Sequence, residues 1–531
     1  MANRSRDELA GYYDEVPYDS RPYSQSSPEQ LATRAFTFGL SAPDLSSARV
    51  LELGCGGGSN LIPFAARYPQ STALGIDLST VQIAQGLATA RRAGLSNIDF
   101  RTIDLTEIDL SFGLFDYIIC HGVYSWVPHA VQDAILRICN ENLAPDGVAY
   151  ISYNVYPGWK TREIVRDAMR LRGGPAVHPA DRLALGLGML DILEETASSG
   201  SLLRTALDDV SAVIRSADPS YVLHEYLEPF NAPCYFKELM VRAEAAGLTY
   251  LAEAASSLMF AQNYPDAVRE FLIRESGGRQ VVMEQYIDFF SNRSFRQTLF
   301  VKDAKADQIR HVIDPFRVDA MYFTGFYSAA GGGQFTIDDR EQLCSAPCNR
   351  PFMLRGLVDK AVVLLLDERF PACMSRDEIV TEVAHLVGQP VETVGTLVST
   401  LLKDLVQRGS IYSRNERPNV AAHLQPRPRA LEANCRIFSS WPQEERPRFA
   451  CNQWHDNVNL TTLEAFLLSL TDGSRSYEML EAEITAAASA GFLNLASQNE
   501  LSEGVVVQAD IIRAELMRSL ESMRRKGLFV A

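Results

Sequence analysis

The sequence predicts an α/β protein: a core built on a parallel sheet, a helical insertion within it, and two α-rich segments of winged-helix outline behind it. Three observations predict this. Apolar runs alternate with amphipathic helical stretches from about residue 49 to 154, the first run breaks into four glycines within five residues, and beyond about residue 310 the alternation gives way to groups of three helices. At 531 residues the chain exceeds one core. The expected units are a covering segment at 1–30, an α/β core at 31–305 with the insertion at about 159–230, a middle winged-helix-like unit at 306–425 and a C-terminal one at 426–531.

The element that organises the rest is Val50-Leu51-Glu52-Leu53-Gly54-Cys55-Gly56-Gly57-Gly58-Ser59-Asn60. Clustered glycines let the backbone turn at positive φ and let a ligand lie on the main chain. A helix follows from Leu61 with Pro63 in its first turn, and then a second apolar run closes on Asp77. Strand, glycine loop, helix, strand and acid make a nucleotide-binding pattern, with the acid placed for ribose hydroxyls.

The later elements follow in order. Leu78 to Ala93 reads as a helix capped by Ser79 and closed by Gly94, with strands at Ile98–Ile103, Phe115–Cys120 and Val148–Tyr153 around a helix at His129–Asn142. Ligands of such sheets sit at the strands' carboxyl ends, so Gly54, Asp77, Asp104, Cys120, His121 and Asn154 are expected to converge. Residues 159–218 read as inserted helices at the rim, Leu248–Leu251 and Phe295–Lys302 as the closing strands. The first 30 residues hold Tyr12, Tyr13, Tyr18 and Tyr23, too much apolar area to leave in water, and are expected to fold over the ligand. Gly331-Gly332-Gly333 and the stretch from Cys344 to Pro351 read as a linker. Helical patterns then recur at 358–408 and 460–526 as a degenerate repeat.

A net charge of −16 argues against a broad basic surface for nucleic acid, because each phosphate contact wants a Lys or Arg, and no nucleic-acid partner is expected. Nine cysteines, an odd number, do not form a disulfide framework, and the Cys344/Cys348 pair lacks companions for zinc, so no metal is expected. The first residues lack the apolar stretch of a secretory signal and no run reaches a membrane span, which predicts a cytoplasmic protein without membrane insertion.

Glycine spacing separates the cofactors. A dinucleotide loop would place its third glycine at Ser59, and a phosphate loop would need a Lys-Ser/Thr pair that is absent. Glu52-x-Gly54-x-Gly56-x-Gly58 resembles the first motif of Rossmann-like class I methyltransferases that use S-adenosyl-L-methionine (SAM). Together with Tyr221-Val222-Leu223-His224-Glu225-Tyr226-Leu227-Glu228 and the stretch Glu284 to Leu299, the chain resembles bacterial methyltransferases with a methyltransferase regulatory domain. Among these are the rickettsial protein-lysine methyltransferases that modify outer-membrane protein B. The resemblance implies methyl transfer from SAM to a protein lysine, with a surface or outer-membrane protein as one candidate acceptor. It leaves open a small-molecule N- or O-methyltransferase and a SAM-binding regulatory or scaffold protein. The C-terminal units are expected to serve protein docking or homodimer formation.

The cofactor-binding set that this reading names is Tyr18, Tyr23, Glu52, Gly54, Cys55, Gly56, Asn60, Asp77, Leu78, Asp104, Leu105, Cys120 and His121, with Asp104 toward the adenine amino group. For the acceptor side it names His121, Tyr124, Trp126, Tyr153, Asn154 and Trp159, because an amine must lose a proton in an aromatic, poorly hydrated pocket before it attacks.

Overall fold

The computed structural model describes residues 11, 14–18, 20–331, 335–346, 351–442, 446–493 and 509–531. Tyr12, Tyr13, Gly332, Gly333 and Cys348 of the sequence reading lie outside them.

Seven strands form the central sheet: β1 (Arg49–Leu53), β2 (Thr72–Asp77), β3 (Ile98–Thr102), β4 (Phe115–Cys120), β5 (Leu143–Asn154), β6 (Leu248–Glu253) and β7 (Phe295–Lys302). Their order is β3-β2-β1-β4-β5-β7-β6. The first five run parallel. β7 is antiparallel to both of its neighbours. The inner strands carry near-continuous apolar sequence because both faces are covered: Val50, Leu51 and Leu53 of β1 and Ile118, Ile119 and Cys120 of β4 have no exposed surface. Successive strands are added to one side of β1 up to β3 and to its other side from β4, and this switch in strand order opens a crevice above the carboxyl ends of β1 and β4.

β5 begins five residues before the expected Val148. The Pro145-Asp146-Gly147 turn does not end pairing; a register shift against β4 between Phe115 and Tyr117 absorbs it.

The insertion is four helices, Gly158–Gly173, Pro179–Thr196, Leu202–Ser216 and Pro219–Tyr226. They have an apolar core of their own around Val165, Met169, Leu190, Leu207 and Val210. Two further helices, Asp266–Ser276 and Gln280–Ser291, were not legible as helices. The second buries Glu284 and Asp288 beside Ile287, so its inward face carries acids where a sequence pattern looks for apolar residues. Those acids meet Arg296 of β7. Its guanidinium lies 2.8 Å from Glu253, 3.0 Å from Glu284 and 2.8 Å from Asp288, all without exposed side-chain surface except a trace at Glu253. The Phe236 ring covers it at 3.7 Å.

Strands Tyr322–Thr324, Met374–Ser375 and Tyr412–Arg414 with helices Leu357–Arg369, Arg376–Val387 and Val391–Arg408 build the middle winged-helix-like unit. The apolar core runs unbroken from Phe300 of the sheet to Phe323, Val358 and Leu405, so packing does not stop at residue 306. The C-terminal unit has a separate core around Leu467, Leu480, Leu516 and Leu520. Its helix Glu432–Ser439 packs on the core helix Thr80–Ala93, where Arg92 lies 4.6 Å over the Trp441 ring. Among the described residues no helix is long and apolar enough to cross a membrane.

Candidate active site

The glycine loop is held to β2 by its own backbone. Gly54 and Cys55 donate to the Ile76 carbonyl at 2.7 and 3.0 Å, and Gly56 donates to Asp77 Oδ2 at 2.9 Å. Gly54 and Gly58 have φ of +73° and +75°. A Cβ at Gly54 would lie 2.3 Å from Val123, and one at Gly58 would lie 2.3 Å from the Phe100 ring, so the turn needs glycine for both conformation and space.

Above the loop lies a cavity of about 560 Å³ at the carboxyl ends of β1, β2 and β4, the size of a small-molecule site. Three acids line its glycine-loop side. Glu52 is 3% exposed and accepts from Asn60 Nδ2 at 2.9 Å through Oε1, while Oε2 has no partner among the described residues. Burial pushes its carboxyl up to about 8, against the Asn60 hydrogen bond and with some help from the Asp77 charge. Asp77 also accepts from Ser79 N at 2.9 Å; its enclosure raises its pKa against these backbone donors. Asp104 turns its Oδ1 to Thr106 N at 2.9 Å.

The N-terminal segment crosses this cavity. Tyr18 O accepts from Gln82 Nε2 at 2.9 Å, Ser20 Oγ accepts from Ser59 N at 3.2 Å, and Tyr23 N donates to Asn60 Oδ1 at 3.1 Å. The Tyr23 ring stacks on His121 with centroids 3.9 Å apart. His121 Nδ1 is 2.8 Å from Tyr150 Oη, and enclosure lowers its pKa to about 4. An imidazole so disposed offers a flat neutral face and is a poor acceptor for an ammonium proton.

The far wall comes from β4, β5 and the insertion. Trp126 and Trp159 meet edge to face with centroids 6.1 Å apart, and Asn154 Nδ2 donates to Asn231 Oδ1 at 3.0 Å. Helix Pro219–Tyr226 adds His224 and Glu225. His224 is engaged with the Val16 carbonyl at 2.8 Å. Enclosure raises the Glu225 carboxyl to about 7 against the opposing charges of Arg162 and Arg166.

All residues named from the sequence line this cavity except Cys120, Tyr124 and Tyr153. Those three point into the sheet's packing. Cys120 is fully buried, Tyr124 packs edge-on against Tyr153 at 6.1 Å, and Tyr153 Oη pairs with Thr298 Oγ1 at 2.8 Å. Ser20, Gln82 and Arg162 line the cavity without having been named. Nothing in their local sequence marks them; only tertiary contact brings them in.

Residues 50–147 match a methyltransferase domain, residues 218–302 a predicted methyltransferase regulatory domain, and residues 440–528 the PKMT C-terminal winged helix domain. The structure of PKMT2 from Rickettsia typhi, determined in complex with AdoHcy, is 28% identical, covers 97% of this chain and 100% of that one, and superposes with a TM-score of 0.84. One uncharacterized Rickettsia prowazekii protein is 39% identical over 44% of this chain and 93% of its own. An uncharacterized protein of Rickettsia prowazekii is 31% identical over 524 residues, 96% of this chain and 91% of its own. The chain belongs to the PKMT-like SAM-dependent methyltransferases.

SAM is therefore the cofactor of this methyltransferase, and the donors present fit it. Glu52 Oε2, buried in the cavity wall and without a partner among the described residues, suits the ammonium of an amino-acid moiety. The glycine loop supplies a surface without side chains beside it, and Leu78, Leu105 and Val127 supply apolar walls for a flat base.

Proposed function

We propose that this methyltransferase places methyl groups on lysine side chains of a protein acceptor. The observation that carries the reading is the union, in one cavity, of the glycine loop and its acids with an aromatic wall of Trp126 and Trp159 that also holds Glu225. SAM supplies a methyl group on a sulfonium that departs as a neutral thioether, so the chemistry asks the protein for no acid. What it asks for is a deprotonated acceptor at close range.

On this reading Asp77 takes the ribose hydroxyls, Asp104 the adenine amino group and Glu52, held by Asn60, the ammonium. Tyr18 and Tyr23 close the site. A lysine with a reference pKa near 10.4 arrives charged. Transfer into a cavity lined by indole rings disfavours that charge, while the ring faces hold the ammonium by cation–π attraction until it loses its proton. Glu225 suits proton acceptance, because a carboxyl near 7 is half ionised at neutral pH. His121, near 4, does not, and serves as a stacking face under Tyr23. Similarity to PKMT2 over the whole chain, including the winged helix domain, supports a protein acceptor.

The test is transfer of labelled methyl from SAM to separated protein and small-molecule fractions of a bacterial lysate, with Asp77→Ala as control. The proposal expects label in protein, recovered as methyl-lysine after hydrolysis and lost with Asp77→Ala. Label confined to small molecules would overturn it.

A further inference from the structure

The cavity wall is not completed by the methyltransferase core alone. A tight loop joins the C-terminal hairpin strands Phe449–Cys451 and Asn457–Asn459 and inserts against the first turn of helix Leu61–Arg67. The loop is rigidly built. Asn452 Oδ1 accepts from Trp454 N and Asp456 N, each at 2.8 Å, and Trp454 Nε1 donates to the Pro371 carbonyl at 3.0 Å. His455, at its tip, has φ +65° and is 1% exposed.

The imidazole sits between two partners that dictate its tautomer. Arg67 Nη2 is 2.5 Å from His455 Nδ1, and a guanidinium can only donate, so Nδ1 accepts. Nε2 then carries the hydrogen and donates to Asn60 Oδ1 at 2.9 Å. Arg67 is itself anchored by Glu29 at 2.8 Å. Burial, and then the Arg67 charge, lower the His455 pKa to about 3, which keeps the ring neutral.

That donation sets which way the Asn60 amide faces. Oδ1 collects His455 Nε2–H and Tyr23 N–H at 3.1 Å, leaving Nδ2 to donate to Glu52 Oε1 at 2.9 Å and to Ser26 Oγ at 3.1 Å. The flipped amide would put its NH2 against two N–H donors and its oxygen against a carboxyl group. We propose that the C-terminal unit is a working part of the SAM site, with His455 as a positioning residue that orients Asn60 and, through it, Glu52. The relay runs Glu29, Arg67, His455, Asn60, Glu52, and crosses between the units at both bonds of His455, to Arg67 388 positions away and to Asn60 395 positions away. It rests on the assignment of the cavity to SAM and is indifferent to the identity of the acceptor.

The test is SAM titration calorimetry on the full chain, with thermal melting measured in parallel. His455→Asn tolerates the left-handed backbone but is too short to reach Asn60. It is expected to weaken SAM binding about three- to tenfold, the worth of one net hydrogen bond. His455→Gln, which restores a donor, recovers part of the loss. In a Glu52→Gln background the effect of His455→Asn falls below twofold, because the group being positioned no longer carries charge. Trp441→Ala, which removes a different contact of the C-terminal unit with the core, leaves SAM affinity unchanged. SAM affinity within twofold of wild type in His455→Asn, an equal loss in the Glu52→Gln background, or an equal loss in Trp441→Ala would each overturn the proposal. Should His455→Asn fail to fold, the comparison of His455→Gln with His455→Met carries the same prediction: Gln binds more tightly, and equality refutes it. Loss of methyl transfer to lysine with SAM binding intact would bear on the acceptor reading and not on this one.

Discussion

Glu52→Gln removes a charge from the cavity wall while keeping its volume and the oxygen that Asn60 binds. In the folded protein the Glu52 carboxyl stands near 8, against an ordinary value of 4.5, chiefly through burial. A pKa raised on folding means the native state holds the proton more tightly. The resulting stability is complete below about 4.5, declines as pH rises, and is gone above about 8. The unliganded wild type therefore loses stability between pH 5 and 8, and Glu52→Gln removes that part of the slope. Ligand binding works in the opposite sense. An ammonium beside Oε2 wants the carboxylate ionised, so at pH 6.5 SAM binding expels a proton and affinity rises toward pH 8. A buried charge-assisted hydrogen bond is worth about 1.5–3 kcal/mol, so Glu52→Gln weakens SAM binding about 10- to 100-fold near pH 8 and less at pH 6. Calorimetry in two buffers of different ionisation enthalpy reads proton release and affinity together. Proton release undiminished in Glu52→Gln, or affinity within twofold of wild type at pH 8, would show that Glu52 does not hold the ammonium.

Three further outcomes follow from particular contacts. Gly58→Ala forces a Cβ to 2.3 Å from the Phe100 ring at φ +75°, so calorimetry should find SAM binding abolished and melting should occur at lower temperature. Arg296→Met strands Glu253, Glu284 and Asp288 without their shared cation. Denaturant unfolding should show a loss of about 3–5 kcal/mol. Glu225→Gln should reduce the methyl-transfer rate about 10²- to 10⁴-fold with SAM affinity unchanged. The wild-type rate should rise with pH through about 7, where the base becomes ionised, and that limb should vanish in the variant.

What the sequence disclosed, it disclosed through regular patterns. Parallel-sheet topology carries residues at strand ends to one edge, so strand order alone brings Gly54, Asp77, Asp104, His121 and Asn154 together. Neighbours along the same strands mislead, because alternate side chains face opposite ways. His121 opens on the cavity while Cys120 beside it is fully buried. The helix Gln280–Ser291 hid for a different reason: its inward face is acidic and makes sense only beside Arg296. Glu225 was visible as a residue but not as a cavity wall, since the placement of an inserted helix depends on how the insertion packs. Contacts such as Asn60 with His455, between chain regions that share no pattern, leave no local trace at all.

Chemical blocking of lysine separates a protein-lysine acceptor from every other. A lysate protein fraction that accepts labelled methyl from SAM is divided, one half acetylated on its lysine amines and desalted, and both halves are assayed with the same enzyme. Incorporation into the acetylated half should disappear, while the untreated half should yield methyl-lysine on hydrolysis. Incorporation that survives acetylation would rule out lysine as the acceptor.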